Sequence, residues 1–265
     1  MLTNFGHLEE SLGDRVIIPD LAPLAWAGLV FATLFVGIGK TALPGIVTLS
    51  VAIFAAILPA RESTAALLIL LLVGDLIAVW IYAKDADWAI LKKLIPSVVV
   101  GVALGTAFLY FVSDGVMRRS IGIILLILTA LTLLLMRRGT AETIKEFFAR
   151  RSIRSLYGAL GGFTTMAANS GGPVMNLYFI ASGFDMRRFL GTQAWFFFTV
   201  NVIKLPFSAG IGLMTSEVLS IAALMIPIVI VGAIIGRLIV KRINQKLFNA
   251  IIIGLTIVSA VYLVF

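Results

Sequence analysis

Asp75 and Lys204 are ionisable side chains set inside strongly apolar runs, LLILLLVGDLIAVWIY and AWFFFTVNVIKLPF. A charge at mid-membrane costs at least about 2.5 to 3.5 kcal/mol on insertion scales, so groups so placed normally face a pathway or a partner. Asp75 suits either a proton-coupling relay or an ion pair with Lys204. Lys204 either faces inward or snorkels toward the outer end of its run. Neutral polar residues gather in TTMAANSGGPVMNLY, where Thr164, Thr165, Asn169, Ser170 and Asn176 flank a Gly-Gly-Pro break, and Gln193 and Asn201 follow in the next run. Unsatisfied polar atoms are costly in hydrocarbon and must meet protein, water or ligand. The threonines suit helix packing; Asn169, Ser170 and Asn176 suit the lining of a ligand site.

GIGKTALPG at 37–45 invites a phosphate-loop reading through Gly39, Lys40 and Thr41. That reading fails, because the earlier glycine the loop requires falls on Leu34 and the flanks are apolar runs instead of a strand and a soluble helix. A glycine and proline break between apolar helices leaves N-terminal amides free, a natural place for an anion, and Lys40 adds a full positive charge. The alternative is a loop lysine in water. The chain has no cysteine, and its single histidine, His7, sits in an acidic leader. Thiolate catalysis, a zinc-cysteine centre and a histidine triad are thereby excluded or made poor readings, and no cofactor is expected.

The elements that must position these residues are membrane helices. Apolar residues make up 60% of the chain and charged ones 13%, too few charges to wet a soluble surface of this size. Ten apolar segments recur, at 21–39, 43–59, 62–83, 94–112, 120–136, 156–168, 172–183, 189–205, 217–236 and 247–265, without the alternation of barrel strands. The sixth and seventh, about a dozen residues each, read as half-helices meeting inside the membrane. Residues 1–20, with Leu2, Phe5, Leu8 and Leu12 at helical spacing, read as an amphipathic leader on the membrane surface.

A repeat organises the segments. IPSVVVGVALG at 95–105 recurs as IPIVIVGAIIG at 226–236, Pro44 answers Pro173, Thr64 answers Thr192 and Thr129 answers Thr256, all at shifts near 129. The chain thus divides into the leader, a first repeat at 21–136, a basic linker at 137–155 and a second repeat at 156–265. Five segments per half is odd, so the second copy enters from the opposite side, an inverted repeat. With alternating crossings, sixteen basic residues fall on one side and four on the other, which places both termini outside and the linker in the cytoplasm. Within the linker, Thr143 to Arg154 reads as a surface helix with a Thr143 and Glu146 capping pair, an apolar Ile144, Phe147 and Phe148 face, and arginines for anionic lipid. Trp26, Trp80, Tyr82, Trp88 and Tyr262 read as headgroup anchors. The glycine pairs at 101 and 105 and at 232 and 236 serve helix packing or a homodimer.

At FTTMAANSGGPVMNLYFIASG, the following RRFLGTQAWFFFTVNVIKLPF and the two IP(x4)VGxxxG helices, the chain resembles the sulfite exporter TauE/SafE family of bacterial membrane transporters. The resemblance spans most of residues 28–265. It implies secondary transport of a small sulfur-containing anion, sulfite or an organosulfonate, outward across the inner membrane. The family's glycine cluster before the first proline is replaced here by Lys40, Thr41, Ala42 and Leu43. The resulting expectation is an all-α polytopic bundle that exports an anion by alternating access and is not an enzyme. The expected substrate-binding residues are Lys40, Thr41, Asn169, Ser170, Asn176, Gln193, Asn201 and Lys204, with Asp75 coupling protons. The expected partners are the anion and the lipid bilayer, and no nucleic acid, since the net charge of +8 lies between apolar runs. The competing readings are an uptake permease for another small anion and a non-transporting membrane assembly factor.

Overall fold

The computed structural model describes residues 21–210 and 212–264, which form eleven α-helices and no strand. The leader expected at residues 1–20 lies outside them. Six helices are long and apolar enough to cross a bilayer. They are α1 (Pro23–Thr41), α3 (Ala60–Tyr82), α4 (Trp88–Phe111), α5 (Asp114–Arg138), α10 (Ser216–Val240) and α11 (Gln245–Val264). Helices α7 (Arg151–Ala168) and α9 (Met186–Gly210) fall outside that set although they are long, because they carry arginines at their starts and polar groups along their lengths. Two short helices, α2 (Val47–Ile57) and α8 (Gly171–Ala181), complete the hairpins that begin with α1 and α7.

Helices exchange between the halves. Helix α1 lies against α10, and α7 lies against α4. Under the sequence shift α1 corresponds to α7 and α4 to α10, so one joint is made twice. The matched glycines explain it. A Cβ on Gly232 would run into the Leu34 carbonyl, and one on Gly236 into Thr41 and the Ile38 backbone; likewise one on Gly101 would strike Ala159 and one on Gly162 the Val98 carbonyl. Only hydrogen at these positions lets the backbones approach. Both glycine pairs are therefore used for packing within the chain. The apolar core follows the same division, with one cluster drawn from α1, α2, α3 and α10 and another chiefly from α4, α5, α7, α8, α9 and α11.

Three expectations change. The sixth segment is not a half-helix of a dozen residues: α7 starts at Arg151 and runs for 18, with Arg151 exposed at its start and the buried face beginning at Tyr157 and Gly158. The linker helix α6 covers Ala141–Ala149, and its cap is Thr140, whose Oγ1 accepts from the Thr143 amide, rather than Thr143 itself. Its Phe148 is fully buried against Tyr157 and Tyr178. Tyr82 is buried and donates to the Thr41 carbonyl at 2.7 Å, so it holds the end of α1 and is no headgroup anchor. Trp80, 78% exposed, remains suited to that role.

Candidate functional site

Both hairpins break at a proline, and the broken ends meet. Pro44 cannot donate to a helix and disfavours helical geometry at Leu43, so α1 stops at Thr41 and a short tight turn, Pro44–Ile46, leads into α2. The α1 carbonyls left over find partners: Ile38 accepts from the Ala42 and Leu43 amides, Gly37 from Thr41 Oγ1 and Thr41 from Tyr82. Helix α7 stops at Asn169, the one non-glycine residue with a left-handed backbone among those described, at φ 49°. Its amide donates to the Thr165 carbonyl and that of Ser170 to Thr164, which closes the last turn. Gly171, Gly172 and Pro173 then start α8. A Cβ on Gly172 would have the Pro44 carbonyl as its nearest neighbour, at 3.9 Å, so the two breaks face one another.

Between them lies a cavity of about 30 Å³. The first half lines it with Gly39, Lys40, Pro44, Val47, Thr48, Leu71 and Asp75, and the second with Thr165, Asn169, Gly172, Gln193, Ala194, Phe197 and Asn201, seven from each. The space holds one or two waters. Most of its polar walls are bonded to one another, Gln193 Oε1 being left without a partner.

Lys40 reaches from the last turn of α1 to Asp75 on α3, with Nζ 2.6 Å from Oδ1. Gly74 makes room for the lysine stem, since a Cβ there would press on Lys40 Cγ. The ammonium also lies 4.9 Å from the centre of the Phe197 ring, a cation–π contact. Asn201 on α9 donates through Nδ2 to the other carboxylate oxygen of Asp75 at 2.7 Å. Three turns of helix thus converge on one carboxylate that is wholly buried. Lys204, only 3% exposed, donates to the Thr165 carbonyl at 3.0 Å and to Asn169 Oδ1. An ammonium has no acceptor, so it fixes the oxygen end of the Asn169 amide toward itself and leaves the NH₂ end as a donor. Gln193 donates to Asn176 Oδ1 at 3.1 Å, while Gln193 Oε1 and Asn176 Nδ2 remain buried without a partner.

The sequence-derived residues therefore separate. Lys40, Asp75, Asn169, Gln193 and Asn201 line the cavity, Lys204 stands one hydrogen bond behind it, and Asn176 stands behind Gln193. Thr41 is spent elsewhere, donating to Gly37 and accompanying the Ala233 carbonyl of α10 at 3.0 Å, and Ser170 donates to its neighbour Ala168. Asp75 pairs with Lys40 and not with Lys204, because the break swings the end of α1 against α3. Lys204 does not snorkel, and Lys40 is no loop lysine in water, its side chain being 9% exposed. Sequence reasoning missed Phe197 and Thr48. Nothing in the run FFF distinguishes Phe197 from its neighbours.

A second polar cluster lies at one end of the bundle, in an open groove among Asp85, Asp87, Trp88, Asp185, Arg187 and Arg188. Asp87 caps α4 by accepting from the Ile90 amide at 3.0 Å, pairs with Arg188, and donates its own amide to Thr192 at 2.9 Å. Partial burial works against its charged form, but Arg188 and the helix amides outweigh that and hold the carboxyl below its usual pKa. Among the described residues, no group of three His, Cys, Asp or Glu side chains could hold a metal ion.

Comparison with known proteins gives a match to the family model described as Sulfite exporter TauE/SafE over residues 25–263. No curated protein and no solved structure matches the chain.

Proposed function

The chain belongs to the sulfite exporter TauE/SafE family, and on that premise we propose that it carries sulfite or an organosulfonate outward across the inner membrane by alternating access. The observation that supports this best is the buried cluster at the meeting of the two helix breaks. It holds Lys40, Lys204 and Asp75, two basic groups and one acidic group, surrounded by apolar packing. A buried charge without a counter-charge is costly, and a mobile anion is the counter-charge that would relieve it. Lys40, the free end of the Asn169 amide, Gln193 and Asn201 would contact the cargo, with the start of α8 adding its N-terminal backbone amides. Thr41 and Ser170 are left out of that set because their hydroxyls are already bonded within the fold.

The architecture supports alternating access. The cavity draws equally on both halves, and each half supplies one broken hairpin. Reading the halves as inverted repeats makes the seam a pseudo-twofold axis about which they can rock, opening the cavity to either side in turn. Pairing each hairpin as a re-entrant unit leaves the direction of the later helices unchanged, so both termini stay outside and the linker stays in the cytoplasm. Outward movement of an anion gains about 2.3 kcal/mol per charge per 100 mV, interior negative, so export needs no nucleotide.

The test is release of labelled sulfite and of an organosulfonate from proteoliposomes under an imposed potential. Release no faster than from empty vesicles, with folded protein present, sinks the reading. Wild-type rates in both Lys40→Ala and Asn169→Ala would instead move the site elsewhere.

A further inference from the structure

We propose that the site accepts cargo as one net negative charge, so that a dianion travels with a proton held on Asp75 while a monoanion travels without one. This rests on the transport reading above and adds to it the charge class of the cargo and the way protons are coupled.

The inference comes from counting the charges that face Asp75. Lys40 arrives from α1 and Lys204 from α9. Helix α2 carries no ionisable residue, Glu217 and Arg237 of α10 belong to its first and last turns, Arg187 and Arg188 stand in the first turn of α9, Arg61 and Glu62 stand in the first turn of α3, and Lys84 and Asp85 follow its end. With Lys40, Lys204 and Asp75 all ionised, the site carries a single excess positive charge. That excess resides on Lys204, whose partners, the Thr165 carbonyl and Asn169 Oδ1, are neutral. A monoanion balances it and leaves the Lys40 and Asp75 pair undisturbed.

A second negative charge has no cation left to meet except Lys40, and Lys40 Nζ is already 2.6 Å from Asp75 Oδ1. Both residues line the same small cavity, so cargo and carboxylate compete for one ammonium. If the cargo takes it, Asp75 is left fully buried with Asn201 as its remaining donor, at Oδ2. A buried carboxylate stripped of its counter-charge is much costlier than a neutral carboxylic acid. A proton from the aqueous side therefore goes to Oδ1, the atom Lys40 vacates, and leaves again when Lys40 returns. Each cycle moves one net negative charge with either cargo: an anion of charge minus one, or one of charge minus two together with a proton. Asn201 keeps its bond to Oδ2 throughout, which makes it the positioning residue of the exchange.

The experiment uses two cargoes of nearly equal size, isethionate, a monoanion, and sulfoacetate, a dianion above mildly acidic pH. Sulfite is avoided because its own charge changes near neutrality. Full-length protein is placed in liposomes with the potential clamped by potassium and valinomycin, and the equilibrium ratio of each labelled anion is read while pH is varied across the membrane. The sulfoacetate ratio should shift about tenfold per unit of pH difference and the isethionate ratio should not move. At equal pH the two should respond to potential with the same steepness. A pH response with isethionate would put the proton elsewhere, on Lys204 for instance, and would overturn the proposal. So would a sulfoacetate ratio blind to pH, or sulfoacetate excluded at every pH while isethionate moves. Asp75→Asn should abolish the pH response of sulfoacetate, and a surviving response overturns the assignment to Asp75. The ratio is an equilibrium quantity, so a slow variant still reports it, and the wild-type comparison stands without any variant. Movement of neither anion refutes the transport reading itself.

Discussion

Replacing Lys40 by methionine should be among the most damaging single changes in this protein, and adding a second change at its partner should repair it. Methionine keeps most of the lysine stem that packs beside Gly74 and Phe197, so the loss is chiefly the charge. Asp75 has no exposed surface and the Lys40 side chain has 9%, which makes this a buried pair in which removal of one partner costs about 3 to 5 kcal/mol. The bond from Asn201 remains in the variant and is already part of that balance. In Lys40→Met/Asp75→Asn both charges are gone and a neutral amide faces Asn201, leaving a cost of about 1 to 2 kcal/mol from altered hydrogen bonds. The double variant should therefore be more stable than Lys40→Met alone by about 1 to 4 kcal/mol, of the order of the coupling expected of residues in direct contact. The assay is equilibrium unfolding in mixed micelles followed by tryptophan fluorescence, for which the chain supplies four indoles. A double variant less stable than Lys40→Met, with costs that simply add, would refute the claim that the two residues share their charge, and with it the competition on which dianion coupling depends.

Other outcomes follow from the same structure. Gly232→Ala should cost about 1 to 3 kcal/mol, because its Cβ would meet the Leu34 carbonyl and backbone has little room to yield, whereas Gly254→Ala, with nothing within 4 Å, should gain up to about 1 kcal/mol; equal effects in unfolding would contradict the packing account of the glycine pairs. Thr140→Cys gives the chain its only thiol, and an impermeant reagent should leave it unmodified in intact cells and label it in inverted vesicles; the opposite pattern reverses the topology. Asp87 has a lowered folded-state pKa, so its stabilisation is present above the unfolded carboxyl value of about 3.9 and is lost as pH falls through the folded value. Unfolding measured between mild and strong acid should show that loss in the wild type and a smaller one in Asp87→Asn; an identical profile would remove the Arg188 pair as its source.

The helical class, the membrane setting, the two-fold repeat and the positions of the breaks were legible in the sequence, because each rests on local physics. Long apolar runs need internal hydrogen bonding in hydrocarbon, prolines end helices, and matched prolines and glycines mark equivalent backbone. Membership of the polar set was legible for the same reason: Asp75, Lys204, Asn169, Gln193 and Asn201 are expensive in an apolar environment wherever it folds. Which of them touch was not legible. Lys40 reads equally well as a loop lysine until α1 is seen to end against α3, and the pairing of Asp75 with Lys40 in place of Lys204 depends on how the two hairpins seat across the seam. Thr41 and Ser170 have the right chemistry for a ligand and lose that role to the nearest backbone carbonyls, a matter of ångströms that residue type cannot encode. The sequence determined the folding elements and the polar inventory through propensity, hydropathy and symmetry; the tertiary structure alone decided the partners, because a charge pair is set by the three-dimensional separation of atoms on helices far apart in the chain.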